Sequence, residues 1–214
     1  IRSSMPKMGE IYHRYMLRCR MANAVDFDDM LYYTYFLLSK NKDICIKYAE
    51  RFRYVLVDEY QDTNYAQQAI ITLLTRDSGK ICVVGDDAQS IYAFRGANID
   101  NILNFRNVYQ GAKLFKLERN YRSTQNIVEA ANCLIAHNQR QIPKNVYSEN
   151  LEGDKVQLDI TYSDREEVSV VCNNIRRLHL REQVAYSDMA ILYRTNAQSR
   201  LFEDELLHAR IPYR

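Results

Sequence analysis

The segment Val57-Asp58-Glu59-Tyr60-Gln61-Asp62 places adjacent carboxylates at the end of the apolar run Tyr54-Val55-Leu56-Val57. A short buried strand ending in acids opens them at the mouth of an α/β sheet, where one can hold a metal while the other polarises a water. Magnesium takes one or two carboxylates and completes its shell with phosphate oxygens, so Asp58 is the expected metal ligand. Glu59 is then the expected base for attack of water on a phosphoryl group. The alternative is a solvated acidic strand end that caps the next helix and favours its dipole.

Two further segments carry chemistry at strand ends. In Val84-Gly85-Asp86-Asp87-Ala88-Gln89-Ser90-Ile91-Tyr92-Ala93-Phe94-Arg95-Gly96, Gln89 can hydrogen-bond a phosphate oxygen. Tyr92, Phe94 and Arg95 are the residue types that stack on bases and hold a backbone phosphate. The alternative for Tyr92 and Phe94 is a place in the core. In Leu117-Glu118-Arg119-Asn120-Tyr121-Arg122-Ser123, Tyr121 can stack on a purine, and Arg122 can neutralise charge on a transferred phosphoryl group. The alternative is a surface ion-pairing group.

These residues need a scaffold of alternating elements. Apolar spacing predicts a helix over Met8–Met21, and Asp26 caps a second over Phe27–Ser39. Strands are expected at 54–57, 80–85 and 113–117, with a helix capped within 62–64 running to Arg76. Beyond Asn120 the pattern restarts with a helix capped by Ser123 and a strand at 156–162. A helix opened by a Ser163/Glu166 capping box, a strand at 189–193 and a helix over Asn196–His208 complete it. Alternating strands and helices imply an α/β fold with parallel sheets, divided near Glu118–Tyr121.

The 214 residues carry a net charge of +2 with 47% hydrophobic residues, which argues against a disordered or strongly basic nucleic-acid tail. The five scattered cysteines, Cys19, Cys45, Cys82, Cys133 and Cys172, form no C-x-x-C pair and are expected to be reduced and structural, in a cytoplasmic protein. No run reaches the roughly 20 apolar residues of a membrane span, and no signal peptide is apparent. The histidines His13, His137, His179 and His208 show no ligand spacing. A chain that opens at Ile1 is expected to be a piece of a longer protein.

Taken in order, these motifs resemble those of the UvrD/PcrA/Rep-type helicases of superfamily 1, ATP-driven translocases on single-stranded DNA. Residues 57–64 resemble motif II, 84–97 motif III, 117–123 motif IV and 190–200 motif IVa, while Asp26-Phe27-Asp28-Asp29 resembles an element upstream of motif II. The resemblance implies two RecA-like lobes of P-loop NTPase type. Residues 1–22 would be the helical tail of insertion domain 1B, 23–117 the later part of lobe 1A, and 118–214 the first half of lobe 2A. It also implies ATP and magnesium, with Asp58 on the metal, Glu59 as base, Gln89 sensing the γ-phosphate, Tyr121 stacking on adenine and Arg122 as arginine finger. Tyr92, Phe94 and Arg95 would contact single-stranded DNA, as would Arg194 and Asn196, and Phe27 would line a base pocket. The implied partners are single-stranded and partly duplex DNA, with repair or replication proteins, and the implied direction is 3′ to 5′.

Departures from the family pattern are informative. No G-x-x-x-x-G-K-[ST] loop is present, because Gly79-Lys80 is followed by Ile81. The family carries that loop upstream and a second catalytic arginine downstream, so this piece alone is expected to be inactive, with domain swapping open to it. Ala93 and Phe94 stand where relatives often have Arg and Trp, a weaker phosphate contact and a smaller stacking surface. Two rivals stand beside the helicase. One is a two-metal nuclease using Asp26, Asp28, Asp29, Asp58, Glu59, Asp86 and Asp87; the other is a non-catalytic DNA-binding or docking module.

Overall fold

A computed structural model of the chain describes residues 7–77 and 79–214. By internal contacts the chain divides into two compact units, Ile1–Gly153 and Asp154–Arg214. Both belong to a mixed α/β chain, whose described strands form two small parallel sheets.

The first unit opens with α1 (Met8–Met21) and α2 (Phe27–Lys40), as the apolar spacing predicts. Asp26 starts α2 with a full capping box: its side chain accepts from Asp29 N over 2.8 Å, and Asp29 returns the contact to the Asp26 N–H. Such caps satisfy donors that a helix cannot satisfy itself, each stabilising by roughly 1 kcal/mol. The Tyr15 hydroxyl also donates to Asp26 over 2.8 Å, and its pKa is raised, first by that bond. α2 packs against α3 (Lys42–Arg51) and α4 (Tyr65–Thr75), and α4 begins with a second capping box, between Asn64 and Gln67.

β1 (Val55–Val57) pairs in parallel with β2 (Ile81–Val83), with Leu56 opposite Cys82. Both strands therefore end on the same side, where the loops 58–64 and 84–97 emerge. Below the loops, the fully buried Tyr60 meets Phe105 edge-on at 5.5 Å, and the Phe105 ring stacks on Tyr109 at 4.7 Å. Burial first, and then the Tyr109 charge, push the Tyr60 hydroxyl up to about 12. Two short helices follow, α5 (Asp100–Leu103) and α6 (Phe105–Val108). On α5, the buried Asn101 donates to both the carbonyl and hydroxyl oxygens of Thr63 over 3.0 Å, tying this region to the first loop.

Several expected elements take other forms. Residues 113–117 make no ladder, and Phe115 and Leu117 are exposed. Pairing starts later, where β3 (Arg119–Asn120) meets β4 (Tyr147–Ser148) in parallel. Ser123 does not cap α7 (Gln125–Ile135); Thr124 holds that position without a side-chain bond, while Ser123 N donates to Asn120 Oδ1 over 2.8 Å.

In the second unit, 156–162 and 189–193 also form no strand. Their apolar residues carry strand propensity, but a strand needs an adjacent edge to accept its backbone bonds. α8 (Asp164–Glu182) starts at Ser163, which accepts from Glu166 N. Its capping box is half made, because the Glu166 carboxylate accepts from Tyr162 N, one residue early. α8 packs on α9 (Ser199–His208) through Val168, Cys172, Phe202 and Leu206, spaced four apart on each helix and closed off by Ile211. Burying each large apolar side chain there contributes roughly 1.5–3 kcal/mol.

The five cysteines are free, and Cys172 is the buried one, whereas Cys82 and Cys133 are exposed. Among the described residues, no helix is long and apolar enough to cross a membrane.

Candidate functional site

The loop after β1 turns sharply at Glu59, whose backbone is left-handed at φ 48°. A non-glycine residue there costs roughly 1–2 kcal/mol, and Glu59 N offsets part of it by donating to Asp58 Oδ1 over 3.0 Å. The turn leaves both Asp58 and Glu59 exposed at the strand end and sends Gln61 inward, where it is 1% exposed.

Gln61 joins the two loops. Its Nε2 donates to Glu59 Oε2 over 2.7 Å, and its Oε1 accepts from Asp86 N over 3.0 Å. The amide reaches across because residue 85 is glycine: a Cβ there would stand 2.5 Å from Gln61 Oε1 and 3.2 Å from Tyr60 N. Asp86 in turn accepts from Gln89 Nε2 over 2.8 Å and from Ala88 N over 3.0 Å. Glu59, Gln61, Asp86 and Gln89 thus form one continuous hydrogen-bonded chain across the ends of two adjacent parallel strands.

Charge in the second loop is balanced. Burial raises the Asp86 carboxyl, but hydrogen bonds from Lys144 and Gln89 outweigh it and hold the group below the usual carboxylate range. Burial likewise lowers Lys144, and its bonds to Asp86 and Asp87 outweigh that and raise it. Near Glu59, burial first and then the Glu59 charge raise the Asp62 carboxyl, whose Oδ1 is shut from solvent without a partner.

Tyr92, Phe94 and Arg95 come together on the surface. Tyr92 and Phe94 have ring centroids 6.0 Å apart, and the Arg95 guanidinium lies 5.4 Å from each. They are not core residues, since Tyr92 is 39% and Phe94 78% exposed. This is a mixed aromatic and cationic platform.

The other expected site residues stand apart from that chain. Tyr121 and Arg122 follow β3, both exposed; the Arg119 guanidinium covers the Tyr121 ring at 4.7 Å, and Asn120 Oδ1 accepts from Arg122 N over 2.9 Å. Among the described residues no hydrogen bond or ion pair joins either side chain to Glu59 or Gln89. Phe27 opens α2 with its ring exposed. Arg194 and Asn196 lie exposed in the second unit, where Asn196 begins a 3-10 turn.

The seven acids of a two-metal site are not gathered. Among the described residues no group of three or more His, Cys, Asp or Glu could hold a metal. Asp26 is committed to its cap and to Tyr15, and Asp86 and Asp87 to Lys144. Asp29 belongs to the same cap, and the adjacent carboxylates of Asp58 and Glu59 at the strand end suit an ion that takes its other ligands from phosphate and water.

Gln61 and Lys144 are functional candidates that the motif reading did not single out. Gln61 lies within the acidic motif, and its inward place shows only once Glu59 turns left-handed. Lys144 is 58 residues from Asp86, and no local pattern announces it.

Residues 2–110 match the UvrD/REP helicase N-terminal domain. The chain belongs to the UvrD/REP helicase family. Residues 115–214 match the UvrD-like helicase C-terminal domain. Among its relatives in this family, the chain is 45% identical over 206 residues to the ATP-dependent DNA helicase PcrA of Leuconostoc citreum. It is 42% identical over 205 residues to DNA helicase II of Escherichia coli, and 42% over 214 to the ATP-dependent DNA helicase UvrD1 of Mycobacterium tuberculosis. These alignments take in 96–97% of this chain, which spans 28% of the length of each relative.

Proposed function

We propose that the protein containing this chain is an ATP-dependent DNA helicase that moves on single-stranded DNA and unwinds duplexes, in repair or replication. The observation that carries this reading is the hydrogen-bonded chain from Glu59 through Gln61 and Asp86 to Gln89, which links a candidate base to a candidate phosphate sensor. Three residues beyond Gln89 stands the exposed aromatic platform, so nucleotide state and DNA contact share one loop. Family membership supports the same assignment.

In this reading residues 23–117 are the later part of lobe 1A and 118–214 the first half of lobe 2A. Asp58 would hold magnesium, which when bound neutralises charge on the nucleotide's phosphates. Glu59 accepts the proton of the attacking water, and Gln61 holds its carboxylate in place. Gln89 donates its amide N–H to an oxygen of the terminal phosphate. Tyr121 stacks on the adenine and Arg122 offsets charge that develops on the transferred group. Tyr92, Phe94 and Arg95 hold single-stranded DNA, together with Arg194, Asn196 and Phe27.

The test is ATP turnover by the full-length protein with and without single-stranded DNA. Turnover that rises with DNA supports the reading. DNA binding without turnover would favour a docking module, and DNA cleavage without ATP would favour a nuclease.

A further inference from the structure

Residues 140–144 form a strap that reaches from beyond α7 to the region after β2. Arg140 pairs with Asp100. Ile142 N donates to Asp87 Oδ2 over 2.9 Å. Lys144 Nζ donates to Asp86 Oδ1 and, over 3.1 Å, to Asp87 Oδ1. Pro143, between the last two donors, has its φ fixed by the ring. The strap lies in the stretch that matches the C-terminal helicase domain, and its targets lie in the stretch that matches the N-terminal one.

Asp86 and Asp87 are adjacent acids that repel, and Asp87 is buried with 4% of its side chain exposed. The Lys144 side chain, 19% exposed, sets one positive charge between the two carboxylates. Its effect on Asp86 is directional. The Asp86 carboxylate is divided, with Oδ1 accepting from Lys144 and Ala88 N and Oδ2 accepting from Gln89. Fixing Oδ1 therefore fixes the direction in which Oδ2 holds the Gln89 amide. Without Lys144, Oδ1 keeps only the Ala88 N–H, so the carboxylate is held less firmly against a rotation that takes that amide with it.

We propose that Lys144 is a positioning residue for ATP hydrolysis: through Asp86 it sets the Gln89 amide at the strand end, in register with Glu59. The proposal rests on the reading of Gln89 as the phosphate sensor. It assigns the second helicase domain a direct hold on the sensor of the first, so that nucleotide sensing depends on how the two domains meet.

The experiment compares full-length wild type with Lys144→Met, Lys144→Arg, Gln89→Ala and the Lys144→Met/Gln89→Ala double variant. It reads kcat and KM for ATP at saturating single-stranded DNA, with affinity for fluorescent ADP beside them. Lys144→Met is expected to lower kcat roughly ten-fold while KM and ADP affinity stay within about two-fold, and Lys144→Arg to restore most of the rate. Adding Lys144→Met to Gln89→Ala should cost no further rate. A wild-type kcat in Lys144→Met beside a slow Gln89→Ala overturns this proposal alone. So does a double variant in which the two losses multiply, or a fall in ADP affinity as large as the fall in kcat. Gln89→Ala at the wild-type rate overturns both the sensor reading and this proposal.

Discussion

The side-chain amide of Gln61 donates to the Glu59 carboxylate over 2.7 Å while its carbonyl accepts from Asp86 N over 3.0 Å. One buried residue thereby fixes a solvent-facing acid against the neighbouring loop. Gln61→Leu leaves the Asp86 N–H without its acceptor in a protected place, at a cost of about 1–3 kcal/mol. Made in the full-length protein, the variant is expected to unfold at lower urea and to hydrolyse ATP more slowly. A urea titration beside a turnover assay checks both, and an unchanged midpoint would show that the amide bridge carries no stability.

Gly85 tests the same bridge from its other side. A Cβ in Gly85→Ala would fall 2.5 Å from Gln61 Oε1 and 3.0 Å from Ile102 Cδ1, so the loops must part or Gln61 must move. Overpacking of this kind costs about 1–3 kcal/mol. Thermal melting of the full-length variant should report that loss, accompanied by slower ATP turnover.

The strap predicts a pH signature. Because the Asp86 carboxyl is lowered in the folded protein, its contribution is present above the ordinary carboxyl pKa, about 3.9, and is lost as pH falls through the lowered value. Lys144 is raised, so its contribution is full below its ordinary value of about 10.4 and is lost as pH rises through the raised one. Wild type should therefore exceed Lys144→Met in stability by a constant margin from about pH 5 to 9, with the margin shrinking at both extremes. Asp87, Gln89 and Gln61 also face Asp86 or its backbone, so the difference between the two proteins, followed by melting across pH, is the informative quantity.

The aromatic platform predicts graded DNA binding. Tyr92→Ala removes one stacking face and should weaken single-strand affinity by about 1–3 kcal/mol. Phe94→Trp enlarges the other face and should tighten it. Fluorescence anisotropy with an oligonucleotide on the full-length protein measures both, and equal affinities in all three proteins would remove the platform from the DNA path.

Much of the site was legible because its signals are local. Apolar runs ending in Asp58-Glu59 and in Gly85 gave β1 and β2, and Asp26 and Asn64 sit where a helix needs a side-chain acceptor. The segments 113–117, 156–162 and 189–193 have the composition of strands, but a ladder depends on a neighbour that propensity does not supply. Tyr92 and Phe94 could not be told from core residues by type; their exposure follows from the 3-10 turn over Ala93–Arg95 that holds them outward. Lys144 was invisible for a different reason, since its partners are brought to it by the packing of distant segments.

The most direct test of the account is Glu59→Gln in the full-length protein, an isosteric change that keeps the turn and removes the base. Nucleotide and single-stranded DNA should bind as in wild type, while DNA-stimulated ATP turnover falls by roughly 10²–10⁴-fold. Turnover at the wild-type rate in that variant would contradict the assignment of Glu59 and, with it, the site built from the ends of β1 and β2.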